Sequence, residues 1–178
     1  TDFILMVENS SYMFVTGPNV VKTVTNEEVT AEELGGAEAH STKSGVTHFS
    51  CANELEAIDH VKKILSYIPQ NCEEHVPHLP YTMKEEVVPA LNNIIPDNPN
   101  QPYDIRNVIY STMDENSFLE VHSKYAESIV VGFARIAGRS IGIVANQPAV
   151  LAGVLDVESS KKGARFVRFC DAFNIPLL

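Results

Sequence analysis

The chain has 178 residues, of which 44% are apolar, and a formal net charge of −10. This length can bury one core or two small ones, and the acidic balance argues against a nucleic-acid partner, which needs a basic surface. No apolar run approaches the roughly 20 residues that span a bilayer, so we expect no membrane insertion. The three cysteines form no even framework, which favours reduced thiols in an intracellular compartment.

The first 68 residues are predicted to form short strands and helices in alternation. Apolar runs predict strands at 2–7, 12–15 and 46–49. Helix-start signals predict helices at Pro18, at a capping box that begins with Thr30, and after Asn53. The clearest helix is the last, where apolar residues recur at helical spacing before Pro69: Leu55, Ile58, Val61, Leu65 and Ile68.

A proline-rich segment divides the chain. Seven of the ten prolines lie between Pro69 and Pro102, which predicts an extended linker at 69–102 between the parts 1–68 and 103–178. Cys72, His75 and His78 in this segment have a spacing that zinc ligands can show. Since no fourth ligand lies nearby, we interpret them as exposed loop side chains and expect no metal.

The second part is predicted to contain a hairpin and a long helix. Asp104 should cap a first helix, and a strand is expected at 118–122. Apolar runs at 129–136 and 140–145 meet at Ala137-Gly138-Arg139, which predicts a β-hairpin. A helix is expected at 156–173, with four residues on its apolar face: Ala164, Val167, Cys170 and Phe173. Gly163 inside it suggests close packing or the approach of a ligand.

The chain begins and stops within such patterns. An apolar strand opens it, and a new apolar run begins at Ile175, three residues before the end. A parallel β-α-β unit needs that last strand, because the first strand and the helix bury their apolar faces against it. We therefore expect a central piece of a larger protein.

The loop after the hairpin is the candidate binding region. Residues 129–178 carry six basic and three acidic side chains in an otherwise acidic chain. Such a segment could meet a phosphate-bearing small molecule, although a solvated helix face is the simpler alternative. Ligands of open α/β sheets bind beyond the carboxyl ends of strands, and helix N-termini favour anions.

Several stretches resemble one enzyme family. They are VGFAR at 131–135, GIVANQP at 142–148 and GARFVRFCDAFNIPL at 163–177, with FVTGP at 14–18, ELGGA at 33–37 and SGV at 44–46 in the first part. Together they resemble the carboxyltransferase subunit of biotin-dependent acyl-CoA carboxylases. Propionyl-CoA carboxylase β chains look nearest, and methylmalonyl-CoA decarboxylase α chains are similar enough that the two are not separated.

The resemblance implies an α/β fold with parts of two ClpP/crotonase-like domains, each a β-β-α superhelix. Residues 1–68 would end the first domain and residues 103–178 would begin the second. It also implies a hexamer that binds acyl-CoA between the domains of neighbouring subunits. Biotin would be carried on a partner, the biotin carboxyl carrier or the biotin carboxylase subunit. The compartment would be the cytoplasm in bacteria or the mitochondrial matrix in eukaryotes.

The implied reaction moves a carboxyl group between carboxybiotin and propionyl-CoA or methylmalonyl-CoA. The region 136–169 would belong to the acyl-CoA site, with six candidate contacts: Asn146, Gln147, Ser159, Ser160, Lys161 and Arg165. The glycine turns that stabilise the oxyanions should lie outside the chain, so no catalytic residue is assigned and the chain alone should be inactive. The alternatives are the α chain of a sodium-pumping decarboxylase and a non-catalytic acyl-CoA-binding or assembly module.

Overall fold

A computed structural model describes residues 1–82, 88–89, 91–98 and 101–178. These residues form two compact units. The first unit comprises 1–62 with 122–125, and the second comprises 63–121 with 126–178. Part of the predicted linker, at 83–87, 90, 99 and 100, lies outside the described residues, and the domain limits predicted from the sequence stay a prediction.

The first unit is built on a pair of short parallel strands. Strand β1, Leu5–Val7, pairs with β2, Phe49–Cys51. Both are shorter than predicted, and β2 lies a few residues later than expected. Between them lie helices α1 (Pro18–Thr25), α2 (Ala31–Gly35) and α3 (Ala37–Ala39) and a π-helical turn, His40–Ser44. Helix α4, Glu54–Leu65, follows β2.

Local capping explains where these helices begin. Pro18 occupies the first turn of α1, where its missing N–H costs nothing. The Thr30 hydroxyl accepts a hydrogen bond from the Glu33 N–H, and the Glu33 carboxylate accepts one from the Thr30 N–H, so the predicted capping box is confirmed. The Asn53 side chain likewise accepts a hydrogen bond from the Glu56 N–H at the start of α4.

The strand predicted at 12–15 is wrong. These residues are irregular and exposed. The Met13 N–H donates to the Gly35 carbonyl, and the Met13 carbonyl lies 2.6 Å from His40 Nε2. A strand needs a neighbouring strand for its backbone groups, whereas here the backbone of Met13 bonds to a helix end and a side chain instead.

The second unit contains an antiparallel three-stranded sheet. Its order is β3 (Leu119–Val121), β4 (Ile129–Ile136) and β5 (Arg139–Asn146). The predicted hairpin is confirmed, because β4 and β5 pair throughout their length around Ala137 and Gly138. Both turn residues have positive φ, 50° and 78°, as a two-residue hairpin turn of type I′ requires.

Strand β4 is buried on both faces. On one face Val130 and Ala134 pack with Ile109 of helix α6, Ile105–Thr112. On the other face the Phe133 ring meets Phe166 and Phe169 of helix α7, Val157–Ala172, with ring centroids 5.1 and 5.9 Å apart. Each buried side chain of this kind stabilises the fold by about 1.5–3 kcal/mol. A further short helix, α5 (Leu91–Ile94), precedes α6.

Helix α7 has nearly the predicted limits, but its predicted apolar face is wrong. Cys170 is buried, whereas Ala164 and Val167 are exposed. The face that packs on the sheet consists of Ser159, Lys162, Gly163, Phe166, Phe169 and Cys170. The apolar pattern of α7 predicts a different face because two polar residues, Ser159 and Lys162, lie on the buried side. Of the two alternatives offered for Gly163, close packing is observed, since an added Cβ would lie 3.1 Å from Ile129 Cδ1.

After α7 the chain returns beside β5. The Gly142 N–H donates to the Pro176 carbonyl at 2.8 Å, and the Leu178 N–H donates to the Gly142 carbonyl at 2.9 Å. Gly142 and Leu177 form a parallel bridge. Strand β5, α7 and residues 176–178 therefore follow the predicted β-α-β path. Within the described ranges, no helix is long and apolar enough to cross a membrane.

Candidate functional site

The loop between β5 and α7 holds the candidate site. Its centre is a turn, Leu151–Gly153, in which all three residues have positive φ. Such backbone is rare for residues other than glycine and persists only when its surroundings hold it. The Asn146 side chain provides one restraint, because its Nδ2 donates to the Gly153 carbonyl at 2.6 Å.

A capping box closes the N-terminus of α7. The Asp156 carboxylate accepts a hydrogen bond from the Ser159 N–H at 2.8 Å, and the Ser159 hydroxyl accepts one from the Asp156 N–H at 2.7 Å. The hydrogen bonds from the backbone and hydroxyl of Ser159 lower the pKa of Asp156. The positive end of the helix dipole therefore already faces a carboxylate, and an anionic ligand here would need side-chain cations.

An open cavity lies beside this first turn. It has a volume of about 640 Å³. Its lining is mostly apolar and consists of Leu155, Asp156, Val157, Ser160, Lys161 and Ala164. The Lys161 ammonium lies 2.9 Å from the Glu158 carboxylate, and both side chains are about half exposed or more. An exposed ion pair of this kind is weak, so Lys161 can turn towards an anionic ligand at small cost. Lys161 and Asp156 are the charged residues of this lining, among mostly apolar walls that are open to solvent.

The six predicted contact residues occupy different environments. Ser160 and Lys161 line the cavity, Asn146 is exposed on the loop, and Arg165 is half-buried on α7. Gln147 and Ser159 are fully buried, and their side chains form hydrogen bonds within the fold. Four of the six therefore reach the surface in this structure. The assignment of all six to a ligand stays a prediction.

Gln147 is a buried bridge between the loop and α6. Its Nε2 donates to the Asp104 carboxylate at 2.6 Å, and its Oε1 accepts from the Ile105 N–H at 3.2 Å. Its own N–H donates to the Ser128 carbonyl at 2.8 Å. Burial opposes ionisation of Asp104, but hydrogen bonds from Gln147 and from the Arg106 N–H lower the pKa of this carboxyl overall. Asp104 is thus a charged acceptor for the Gln147 amide.

Lys162 is a buried cation that the sequence analysis did not single out. Its side chain is 3% exposed, and its ammonium lies 3.4 Å from the Ala126 carbonyl. Burial lowers the pKa of Lys162 to about 8, against the opposing attraction of Glu120. Glu120 itself accepts two hydrogen bonds from the Arg106 guanidinium, both at 2.7 Å. The sequence signal was the three-residue spacing of Ser159 and Lys162, which places both on one helix face.

The thiols and the residues of the predicted zinc spacing lie in different environments. Burial raises the pKa of Cys170 to about 12, so this thiol stays protonated and unreactive near neutral pH. Cys72 is exposed, and His78 Nε2 lies 3.0 Å from the Ala137 carbonyl. Across the described residues, no three His, Cys, Asp or Glu side chains are grouped as a metal site would require.

Comparisons with known proteins agree with one another. The model of the carboxyl transferase domain matches residues 1–178. The chain is 53% identical to the propionyl-CoA carboxylase beta chain of Roseobacter denitrificans, covering all of this chain and 35% of that protein. It is 50% identical to the methylmalonyl-CoA decarboxylase subunit alpha of Veillonella parvula, again covering all of this chain and 35% of that protein.

A solved structure has the same fold. Transcarboxylase 12S, crystallised as a hexamer with hydrolysed methylmalonyl-CoA bound, superposes with a TM-score of 0.95 and 47% identity over 99% of this chain and 35% of that one. The expected crotonase-type α/β fold is thereby confirmed. The chain spans about a third of the length of these relatives. It belongs to the carboxyl transferase domain family of acyl-CoA carboxylases, decarboxylases and transcarboxylases.

Proposed function

We propose that the protein containing this chain is a carboxyltransferase that moves a carboxyl group between carboxybiotin and a short acyl-CoA, propionyl-CoA or methylmalonyl-CoA. The observation that carries the proposal is the match of the whole chain, at 47% identity, to a transcarboxylase solved with hydrolysed methylmalonyl-CoA. The chain covers 35% of that protein. The activity is therefore proposed for the full-length protein, and the 178 residues alone are expected to be inactive.

The cavity beside α7 is our candidate for part of the acyl-CoA site. Its apolar walls, Leu155, Val157 and Ala164, would pack along the pantetheine arm. Lys161 would meet a phosphate, with Arg165 one helical turn further along. Ser160 would donate a hydrogen bond to the ligand, and Asn146 would contact the ligand from the loop. The buried Gln147 and Ser159 would hold the loop and the helix start in place through their own hydrogen bonds.

The chemistry proposed needs oxyanion stabilisation more than a side-chain base. In carboxyl transfer the thioester enolate and the ureido oxygen both carry negative charge, which backbone N–H groups can stabilise. Biotin, held by a carrier protein or a biotin carboxylase subunit, supplies the carboxyl group when bound. The described residues form no built pocket to which we assign it, and we name no catalytic residue in them.

The proposed assembly and compartment follow the relatives. We propose a hexamer, the assembly in which transcarboxylase 12S was solved. We further propose the cytoplasm for a bacterial source and the mitochondrial matrix for a eukaryotic one.

Calorimetric titration of the full-length protein with propionyl-CoA tests the proposed site. Lys161→Glu should weaken binding about tenfold, since it replaces attraction to a phosphate with repulsion. Lys62→Glu is the matched control, because Lys62 forms a similar exposed pair with the acid three positions before it, at 3.6 Å. Equal binding by wild type and Lys161→Glu would remove the cavity from the proposed site.

A decarboxylase is the second candidate. The 50% identity to the methylmalonyl-CoA decarboxylase subunit alpha favours it specifically. Both reactions share the acyl-CoA and the biotin acceptor, so binding alone does not separate them. The partner that loads or unloads biotin does. Carboxylation of propionyl-CoA by the full-length protein with a biotin carboxylase subunit, ATP and bicarbonate supports the carboxylase, and net release of CO₂ from methylmalonyl-CoA that requires an added membrane partner supports the decarboxylase.

A further inference from the structure

We propose that Gln147 is a positioning residue for acyl-CoA binding and does not contact the ligand. It would act by fixing the loop 147–156 against the N-terminus of α6, and so set the place of the first turn of α7. The inference rests on the proposed function, because acyl-CoA is the ligand whose binding it would control.

The hydrogen bonds of Gln147 show how it holds the loop. Its side chain spans the start of α6, donating to Asp104 and accepting from the Ile105 N–H. Its backbone N–H donates to the Ser128 carbonyl before β4, and its carbonyl accepts from the Val150 N–H in the loop. Each of these groups is thereby satisfied in a fully buried position. A buried amide whose nitrogen and oxygen are both hydrogen-bonded favours one arrangement of the backbone around it.

The loop connects Gln147 to the residues that line the cavity, so its conformation determines where they lie. Residues 151–153 adopt positive φ throughout, and the Asn146 amide holds the Gly153 carbonyl. Three residues later, Asp156 caps α7, and the cavity-lining residues Ser160 and Lys161 follow in the first turns. A strained turn anchored at its start by Gln147 and at its end by the Asp156 cap has little freedom to shift. Loss of the Gln147 bond should therefore move the cavity without unfolding the sheet.

The chemistry of the pair defines a specific variant. Asp104 is ionised and accepts from the Gln147 amide. Gln147→Glu keeps the size of the side chain but places a second carboxyl group at the Asp104 oxygen. While this group holds a proton it can still donate to Asp104, and once it is ionised the two like charges repel, so the defect should grow as the pH rises. The Arg106 guanidinium donates two hydrogen bonds at 2.7 Å to Glu120 and also lies 3.6 Å from Asp104 Oδ2. It is therefore already shared between two carboxylates and can offset a third charge only in part. Asp104→Asn in the same chain removes one of the two charges and returns a donor.

The experiment is a double-variant cycle in the full-length protein, with propionyl-CoA binding followed by calorimetry. We expect Gln147→Glu to weaken binding about tenfold or more, the scale of a lost charge-assisted hydrogen bond. Asp104→Asn alone should change the Kd less than about threefold, because its amide oxygen can still accept from Gln147. The double variant should bind more tightly than Gln147→Glu alone. Gln70→Glu makes the same chemical change at an exposed position and should bind like wild type.

The stoichiometry separates positioning from simple loss of folded protein. A merely structural role would reduce the number of binding sites and leave the Kd of the remaining sites unchanged, which would overturn the inference. It would also be overturned if Gln147→Glu bound like wild type at every pH tested, or if the double variant were as weak as Gln147→Glu. Failure of the wild-type protein to bind propionyl-CoA would contradict the proposed function itself, and the inference with it.

Discussion

Lys162 shows at the residue scale how a single buried charge can make stability depend on pH. Its neighbour Lys161 is exposed, whereas Lys162 lies on the buried face of α7 and is 3% exposed. Burial lowers the pKa of Lys162 from 10.5 to about 8 in the folded protein. Between these pH values the unfolded chain binds more protons than the folded one. Stability from this group therefore rises as the pH increases from about 8 to about 10.5.

We predict that Lys162→Met removes this rise. Relative to the variant, the wild type should gain up to about 3 kcal/mol between pH 7.5 and pH 10.5. Thermal midpoints of the full-length protein across that range provide the measurement. Lys161→Met is the control and should keep the wild-type pH profile. Parallel profiles for wild type and Lys162→Met would contradict the burial of this ammonium group.

Two glycines should respond in opposite ways to the same substitution. An added Cβ at Gly132 would lie 2.4 Å from the Leu119 carbonyl oxygen, which is backbone that must shift. At Gly163 the nearest atom, at 3.1 Å, is the flexible end of Ile129. Gly132→Ala should cost about 1–3 kcal/mol, and Gly163→Ala should be neutral or stabilising by up to about 1 kcal/mol through helix propensity. Denaturant midpoints of the two variants test the difference, and equal losses would refute it.

Unchanged acyl-CoA binding by Gly163→Ala would further show that packing, and not the approach of a ligand, accounts for this glycine.

At the scale of elements, the hairpin turn between β4 and β5 offers a stabilising substitution. Ala137 has φ of 50° and is exposed, a conformation that asparagine adopts more readily than alanine. Ala137→Asn should raise the free energy of unfolding by about 0.5–1 kcal/mol, and Ala137→Val should lower it. Thermal midpoints provide the measurement. A stabilising effect of valine would show that the turn has another conformation.

The elements that could be predicted are those fixed by local signals. The capping box at Thr30, Pro18 in the first turn of α1 and the turn at Gly138 depend on residues a few positions apart, so the sequence contains the whole cause. The strand predicted at 12–15 failed because strand formation depends on a partner elsewhere in the chain. The predicted buried face of α7 was wrong for a similar reason, since the burial of Ser159 and Lys162 depends on the sheet that packs against them.

The candidate site residues have different surroundings in the structure. Ser160 and Lys161, which the loop and helix pattern offered as ligand contacts, line an open cavity, and their contact with a ligand stays a prediction. The same reasoning offered Gln147 as a ligand contact. Its burial depends on the position of Asp104, which lies 43 residues away in the sequence. A pattern of neighbouring residues cannot predict a contact over that separation.

At the scale of the whole molecule, the chain is best understood as one part of a carboxyl transferase. The family model covers it from end to end, while the chain accounts for about a third of its relatives' length. We propose substrate binding for the loop and first helix turn around Lys161, and carboxyl transfer for the full-length protein.

Carboxyl transfer from methylmalonyl-CoA to free biotin by the purified full-length protein, followed as propionyl-CoA formed, measures the proposed activity itself. We predict transfer by the wild type, a KM for methylmalonyl-CoA about tenfold higher in Lys161→Glu, and no transfer by the 178-residue chain alone. A full-length protein that is folded and oligomeric but forms no propionyl-CoA in the presence of biotin would contradict the account.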